Sequence, residues 1–125
     1  MTENEISYII RGCIFDVYNA LGPGLLESAY QAALAYELRQ KGLDVREEVP
    51  LPMIYKEILV DRGYRIDMLV EGKVIVENKS VEAVPPVYHN QLLTHLRLSG
   101  LKLGLLVNFN TDNIAKNIFR KVNNL

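Results

Sequence analysis

The sequence predicts an α/β fold with a mixed central β-sheet flanked by helices, and three observations carry that expectation. Apolar residues recur at helical spacing over residues 4–41, short alternating segments rich in β-branched side chains fill the middle, and a helical stretch then leads into a continuous apolar strand. With 125 residues, 49% of them hydrophobic, the chain is long enough for one core and too short for two, so residues 1–125 read as a single domain.

Ile6, Ile9, Ile10, Cys13, Ile14, Val17 and Leu21 share one face of a helix over residues 4–20, and Thr2 with Glu5 has the spacing of a capping box. Gly22 ends that helix, Pro23 suits the first turn of a second, and Gly42 stops the second after about Lys41. Leu26, Ala29, Ala33 and Leu34 suggest an inward face there, beside Glu27 and Tyr30, which lie one turn apart. Strands are expected over 44–49, 51–55 and 58–60, with Lys56-Glu57 as a turn and Pro50 and Pro52 marking an edge or a bend. Asp61-Arg62-Gly63 is a turn leading into the stretch from Tyr64 to Ser80. Pro85-Pro86 then marks a loop, and Val87–Ser99 reads as a helix with Leu92, Leu93, Leu96 and Ser99 inward and Gly100 as its stop. Lys102–Phe109 is a continuous apolar strand, added parallel in the sheet interior. A last helix is expected from a Thr111 cap, with Ile114, Ile118 and Val122 inward; Lys116, Arg120 and Lys121 outside it form a small basic patch or an ordinary solvated face.

The stretch Tyr64–Ser80 holds two alternating segments separated by Glu71-Gly72, the signature of a hairpin. Glu77 and Lys79 are two apart and share a strand face. Whether Asp67 joins them depends on the turn. A two-residue loop at Glu71-Gly72 sends Asp67 to the opposite face, whereas a three-residue loop, Val70 to Gly72, pairs Asp67 with Ile75 and gathers all three charges; glycine in third place favours the latter. Charges inside an apolar sheet are costly unless something pairs them.

Fourteen basic and fifteen acidic residues leave a formal charge of -1, so attraction to phosphate has to come from a local patch. The opening Met1–Glu5 is polar and acidic, unlike a signal peptide, and no apolar run approaches membrane-spanning length. One cysteine excludes an internal disulfide, and Cys13 reads as a small buried hydrophobe. The expectation is a cytoplasmic protein with no membrane partner; a homo-oligomer stays open. His89 and His95 lie on different helix faces, which argues against zinc.

Asp67 followed by Glu77-Asn78-Lys79 on the next strand resembles the D…(D/E)-x-K signature of the PD-(D/E)XK nuclease superfamily. Gly24-Leu25-Leu26-Glu27-Ser28-Ala29-Tyr30 reads as G-x-x-E-x-x-Y and resembles the GxxExxY protein family, which is assigned to that superfamily; similarity extends through Leu21–Gly24, Val49–Pro52, Gln91–Thr94 and Leu103–Phe109, nearly the whole chain. The resemblance implies a restriction-endonuclease-like core, a nucleic-acid substrate, DNA or RNA, and a divalent cation, Mg²⁺ or Mn²⁺. It implies that Asp67, Glu77 and the backbone carbonyl of Asn78 hold the metal, that Glu27 acts at the site directly or through water, and that Gln91 supports the site or touches the substrate backbone. Without the resemblance, Glu27 is a first-turn acid that stabilises its helix, and the Asp67, Glu77 and Lys79 set is an ion pair at a sheet edge. The chain departs from the pattern at Asn78, where an apolar residue is more usual, and at His95, which stands where Q-x-x-x-Y has tyrosine.

Phosphodiester hydrolysis needs an activated water, neutralised phosphoryl oxygens and relief of the leaving alkoxide, all of which a carboxylate-held hard cation promotes. Lys79 would orient the water or stabilise the phosphorane charge. Two function classes follow: a metal-dependent nuclease with Glu27, Asp67, Glu77, Lys79 and Gln91 as its catalytic set, and, as the alternative, an inactive nuclease-fold binding module.

Overall fold

The computed structural model describes residues 1–61 and 63–125; Arg62, within the expected turn at Asp61–Gly63, lies outside the described residues. Helix α1 (Glu3–Leu21) opens on a capping box in which the Thr2 hydroxyl accepts from the Glu5 N–H and the Glu5 carboxylate accepts from the Thr2 N–H. Gly22, at φ 67°, ends it and donates its N–H to the Tyr18 carbonyl. Helix α2 (Glu27–Gln40) begins later than the sequence suggests. Pro23 therefore lies in the connecting loop and not in a first turn, and Leu26, 77% exposed, precedes the helix. Ala29 is exposed as well, because the buried positions Tyr30, Leu34 and Leu38 set the face that α2 turns inward.

Strand β1 (Val45–Pro50) follows, then β2 (Met53–Tyr55) and β3 (Ile58–Val60), which pair only with each other as a small hairpin turning at Lys56, φ 55°. The central hairpin is β4 (Arg65–Val70) and β5 (Val74–Lys79), followed by helix α3 (Pro86–Ser99), β6 (Leu103–Asn108), a single 3₁₀ turn at Ile114–Asn117 and β7 (Ile118–Val122). The main sheet runs β1-β4-β5-β6-β7 and is antiparallel throughout except for the parallel β5–β6 pair. Strand β5 is its centre, and β1, with Pro50 at its end, is an edge as the prolines imply.

Helices α1 and α2 cover one face, where Ile6, Ile10, Ile14, Tyr30 and Leu34 meet Val74, Val76 and Val107. Helix α3 covers the other, with Leu92 and Leu96 on Ile75 and Leu106. There Gly104 lies under α3: a methyl group in its place would sit 2.7 Å from Leu92 Cδ1.

The expected C-terminal helix is absent, and its residues form the 3₁₀ turn and β7. Ile118, Phe119 and Val122 fit either period over so short a run, and β7 covers the edge of β6, whose six residues are all buried. The 3₁₀ turn is capped by Asn113, whose side chain accepts from the Lys116 N–H, and not by Thr111.

The hairpin register also differs from expectation. Val70 pairs with Val74, so the three-residue loop is Glu71-Gly72-Lys73, with Glu71 at φ 55° and Gly72 at φ 64°. Keeping Val70 in the ladder buries it completely. The shift from the expected pairing is two residues, which preserves the strand face.

Candidate active site

Pairing between β4 and β5 runs from Val70↔Val74 to Met68↔Val76 and stops there. Beyond it the Asn78 N–H donates to Asp67 Oδ2 at 2.9 Å, so a side chain stands where a backbone partner would. On the other side the β1–β4 ladder skips the step between Glu47↔Met68 and Val49↔Ile66, where Glu48 adopts φ 51°. Gln31 of α2 fills part of that gap, its Nε2 donating to the Asp67 carbonyl at 3.3 Å and to Glu48 Oε1 at 3.1 Å. Asp67 thus sits where regular pairing is interrupted on both sides.

Glu77 alternates onto the α3 face of β5 and is 6% exposed. Its Oε1 lies 2.9 Å from His95 Nδ1, from the middle of α3. The carboxyl of Glu77 is also near enough to Asp67 to act on it as a like charge and as a side-chain hydrogen-bond partner. Burial, and then Glu77, push the Asp67 carboxyl up to about 7 from 3.8; the Asn78 N–H and Lys79 pull the other way. Lys79 is half-buried, two residues beyond Glu77, with its ammonium 4.4 Å from the centroid of the Tyr88 ring.

A testable pH dependence follows. The folded Asp67 holds its proton more tightly than the unfolded chain does, so its contribution is most favourable below about pH 4 and is lost as the pH rises to about 7. The difference across that interval is on the order of 4 kcal/mol. Asp67→Asn, which cannot ionise, should melt above wild type at pH 8 without added metal, with the gap closing toward pH 4. Equal melting differences at both pH values would show that Asp67 is not held in this way.

Glu27 is exposed at the first position of α2, and its Oε1 accepts from the Ser80 N–H at 3.4 Å, immediately after Lys79. Gln91 is exposed on α3 and lines a cleft with His95, the partner of Glu77. Gln91 therefore stands beside the residue bonded to Glu77 and Glu27 beside the residue that follows Lys79; among the described residues neither is hydrogen-bonded to Asp67 or Glu77.

The part of Tyr30 is not evident from sequence spacing alone. Its fully buried ring stacks on Phe109 with centroids 4.4 Å apart, while its hydroxyl donates to the Gly22 carbonyl and accepts from the Leu25 N–H. Ser80 grips the same loop, its hydroxyl donating to the Leu25 carbonyl at 2.6 Å. The loop that delivers Glu27 is thus pinned from the core and from the end of β5. Asn108, 2% exposed, holds the segment after Lys79 by exchanging hydrogen bonds with the backbone of Val81. A buried asparagine ending an apolar strand was the available signal for that clamp.

His95, which stands where Q-x-x-x-Y has tyrosine, has a side chain only 12% exposed that engages Glu77. Asn78 points to the α1–α2 face, 1% exposed, with Nδ2 on Met68 Sδ at 3.1 Å and Oδ1 without a partner among the described residues. Among the described residues, no group of three or more His, Cys, Asp or Glu side chains is placed to hold a metal ion. None of the described helices is long and apolar enough to cross a membrane.

The family model described as PD-(D/E)XK nuclease superfamily matches residues 4–122. No curated protein and no solved structure matches the chain.

Proposed function

The chain belongs to the PD-(D/E)XK nuclease superfamily, and from that premise we propose that residues 1–125 are one cytoplasmic nuclease domain that hydrolyses phosphodiester bonds of nucleic acid with a divalent cation. The observation that carries the proposal is the pairing of two neighbouring carboxyls, Asp67 and Glu77, with Lys79 on the same strand as Glu77. Two acids of which one resists ionisation form an oxygen-donor set short of positive charge, and that fits a hard cation such as Mg²⁺ or Mn²⁺, which takes only one or two protein carboxylates. Asp67, Glu77 and the Asn78 carbonyl would hold it. When bound, the cation supplies Lewis-acid polarisation of a phosphoryl oxygen and a more acidic water.

The protein's own groups supply the rest. Lys79 directs a positive charge to where the phosphorane oxygens gain negative charge. His95 fixes the Glu77 carboxylate, and Glu27 braces the backbone just past Lys79. The single buried cysteine is at home in a reducing compartment.

Wild-type protein with Mg²⁺ or Mn²⁺ should cleave DNA or RNA, and EDTA should abolish cleavage. Lys79→Ala, purified identically to exclude contaminating nucleases, should bind the cation as wild type does while kcat falls by about 10²- to 10³-fold. Equal cleavage by wild type and Lys79→Ala would remove the proposal.

A further inference from the structure

Beside Glu77 lies a cleft of about 290 Å³ lined by Tyr64, Val87, Asn90, Gln91, Thr94 and His95. Its wall is continuous with the carboxylate pair, because the His95 that lines it is the residue bonded to Glu77 at 2.9 Å. We propose that this cleft seats an unpaired nucleobase adjoining the scissile phosphate, so that the substrate is single-stranded or locally unpaired nucleic acid. The inference rests on the nuclease reading and adds the substrate class.

Three features of the lining select such a ligand. Tyr64 is 43% exposed and meets the His95 ring nearly at right angles, 81° with centroids 6.4 Å apart, so the two rings form an aromatic corner. A base has two flat faces to offer such a corner, but only when it has left its own stack. Asn90 and Gln91 are exposed amides at consecutive positions, each carrying donors and an acceptor for a base edge. The Arg97 guanidinium donates to Thr94 Oγ1 at 3.2 Å, which puts a cation beside a lining residue, and Lys79 is near enough to Asp67 to act on its charge.

Charge points the same way. Duplex binding draws its affinity from many Lys or Arg contacts to phosphate, and this chain carries a formal charge of -1. Stacking does not need that surplus, since one base on one aromatic ring supplies a large part of single-strand affinity. The cleft volume lies at the lower end of small-molecule sites, enough for one base and too little for a paired helix.

The test measures binding separately from cleavage. Lys79→Ala protein in Mg²⁺ is titrated, with fluorescence anisotropy, against a short single-stranded oligonucleotide as DNA and as RNA and against the duplex of each. Tighter binding of one or both single strands than of their duplexes is expected, with Tyr64→Ala in the same background weakening the single-strand complex about 10-fold and Tyr64→Phe restoring it. A single abasic nucleotide beside the cleavage position should weaken binding in the Tyr64 protein and make little further difference in Tyr64→Ala. Equal binding of single strand and duplex, or equal loss at the abasic position with and without Tyr64, overturns the inference. Single-strand preference through Tyr64 in a protein whose wild type never cleaves would sustain the cleft and remove only the nuclease reading.

Discussion

Glu77→Ala is expected to lose both divalent-cation binding and cleavage, the largest functional effect of any single substitution in this protein. Lewis-acid assistance supplies several kcal/mol to phosphoryl chemistry. At 1.36 kcal/mol per factor of ten, its loss corresponds to at least about 10³-fold in kcat/KM. The same substitution removes the like charge beside Asp67, so the Asp67 carboxyl should titrate lower than in wild type, where it stands at about 7. Calorimetric titration with Mg²⁺ or Mn²⁺ reads the first effect and carboxyl NMR the second. A variant that binds the cation as wild type does would exclude Glu77 as a ligand.

Tyr30→Ala should have the largest effect on stability. It deletes a ring with no solvent exposure that stacks on Phe109, and truncation of a buried aromatic costs about 3–5 kcal/mol. Tyr30→Phe keeps the ring and strips the hydroxyl from the Gly22 carbonyl and the Leu25 N–H, at about 1–3 kcal/mol. Urea unfolding measures both. Because that hydroxyl holds the loop leading to Glu27, Tyr30→Phe should also lose activity at temperatures where it remains fully folded. Full activity and unchanged stability in Tyr30→Phe would mean that the ring alone matters.

The three helices were legible because each buries one face, and burial on one side imposes a period on the sequence, whereas the central hairpin, covered on both faces, was marked by Glu71-Gly72 between two runs rich in β-branched residues. Strand β6 was legible for the opposite reason: buried on both faces, it has no polar side chain from Leu103 to Val107. The hairpin register was not, because parity fixes the face while two loop positions satisfy the same parity, and the choice fell to the packing of Val70. Strand β7 was hidden because its five residues are too few to separate one period from another, and its role is to cover an edge that exists only in three dimensions. At the site, the D…E-x-K spacing could bring out Asp67, Glu77 and Lys79. The bond from His95 to Glu77 escaped because it depends on where α3 lies over the sheet, a distance that no pattern along the chain encodes.

One contact beneath that helix is made by a residue with no side chain. Gly104 lies beneath Leu92, which is one residue from Gln91 and three from His95, and a methyl group there would meet Leu92 Cδ1 at 2.7 Å. Leu92 is itself fully buried, so relief of such a clash takes either a new Leu92 rotamer within a packed core or a lift of the helix, and a hydrogen bond of 2.9 Å between His95 and Glu77 tolerates a lift of only a few tenths of an ångström. Gly104 therefore acts as a missing shim under a lever. One carbon atom more on β6 would press on the helix whose His95 holds a carboxylate of the neighbouring strand.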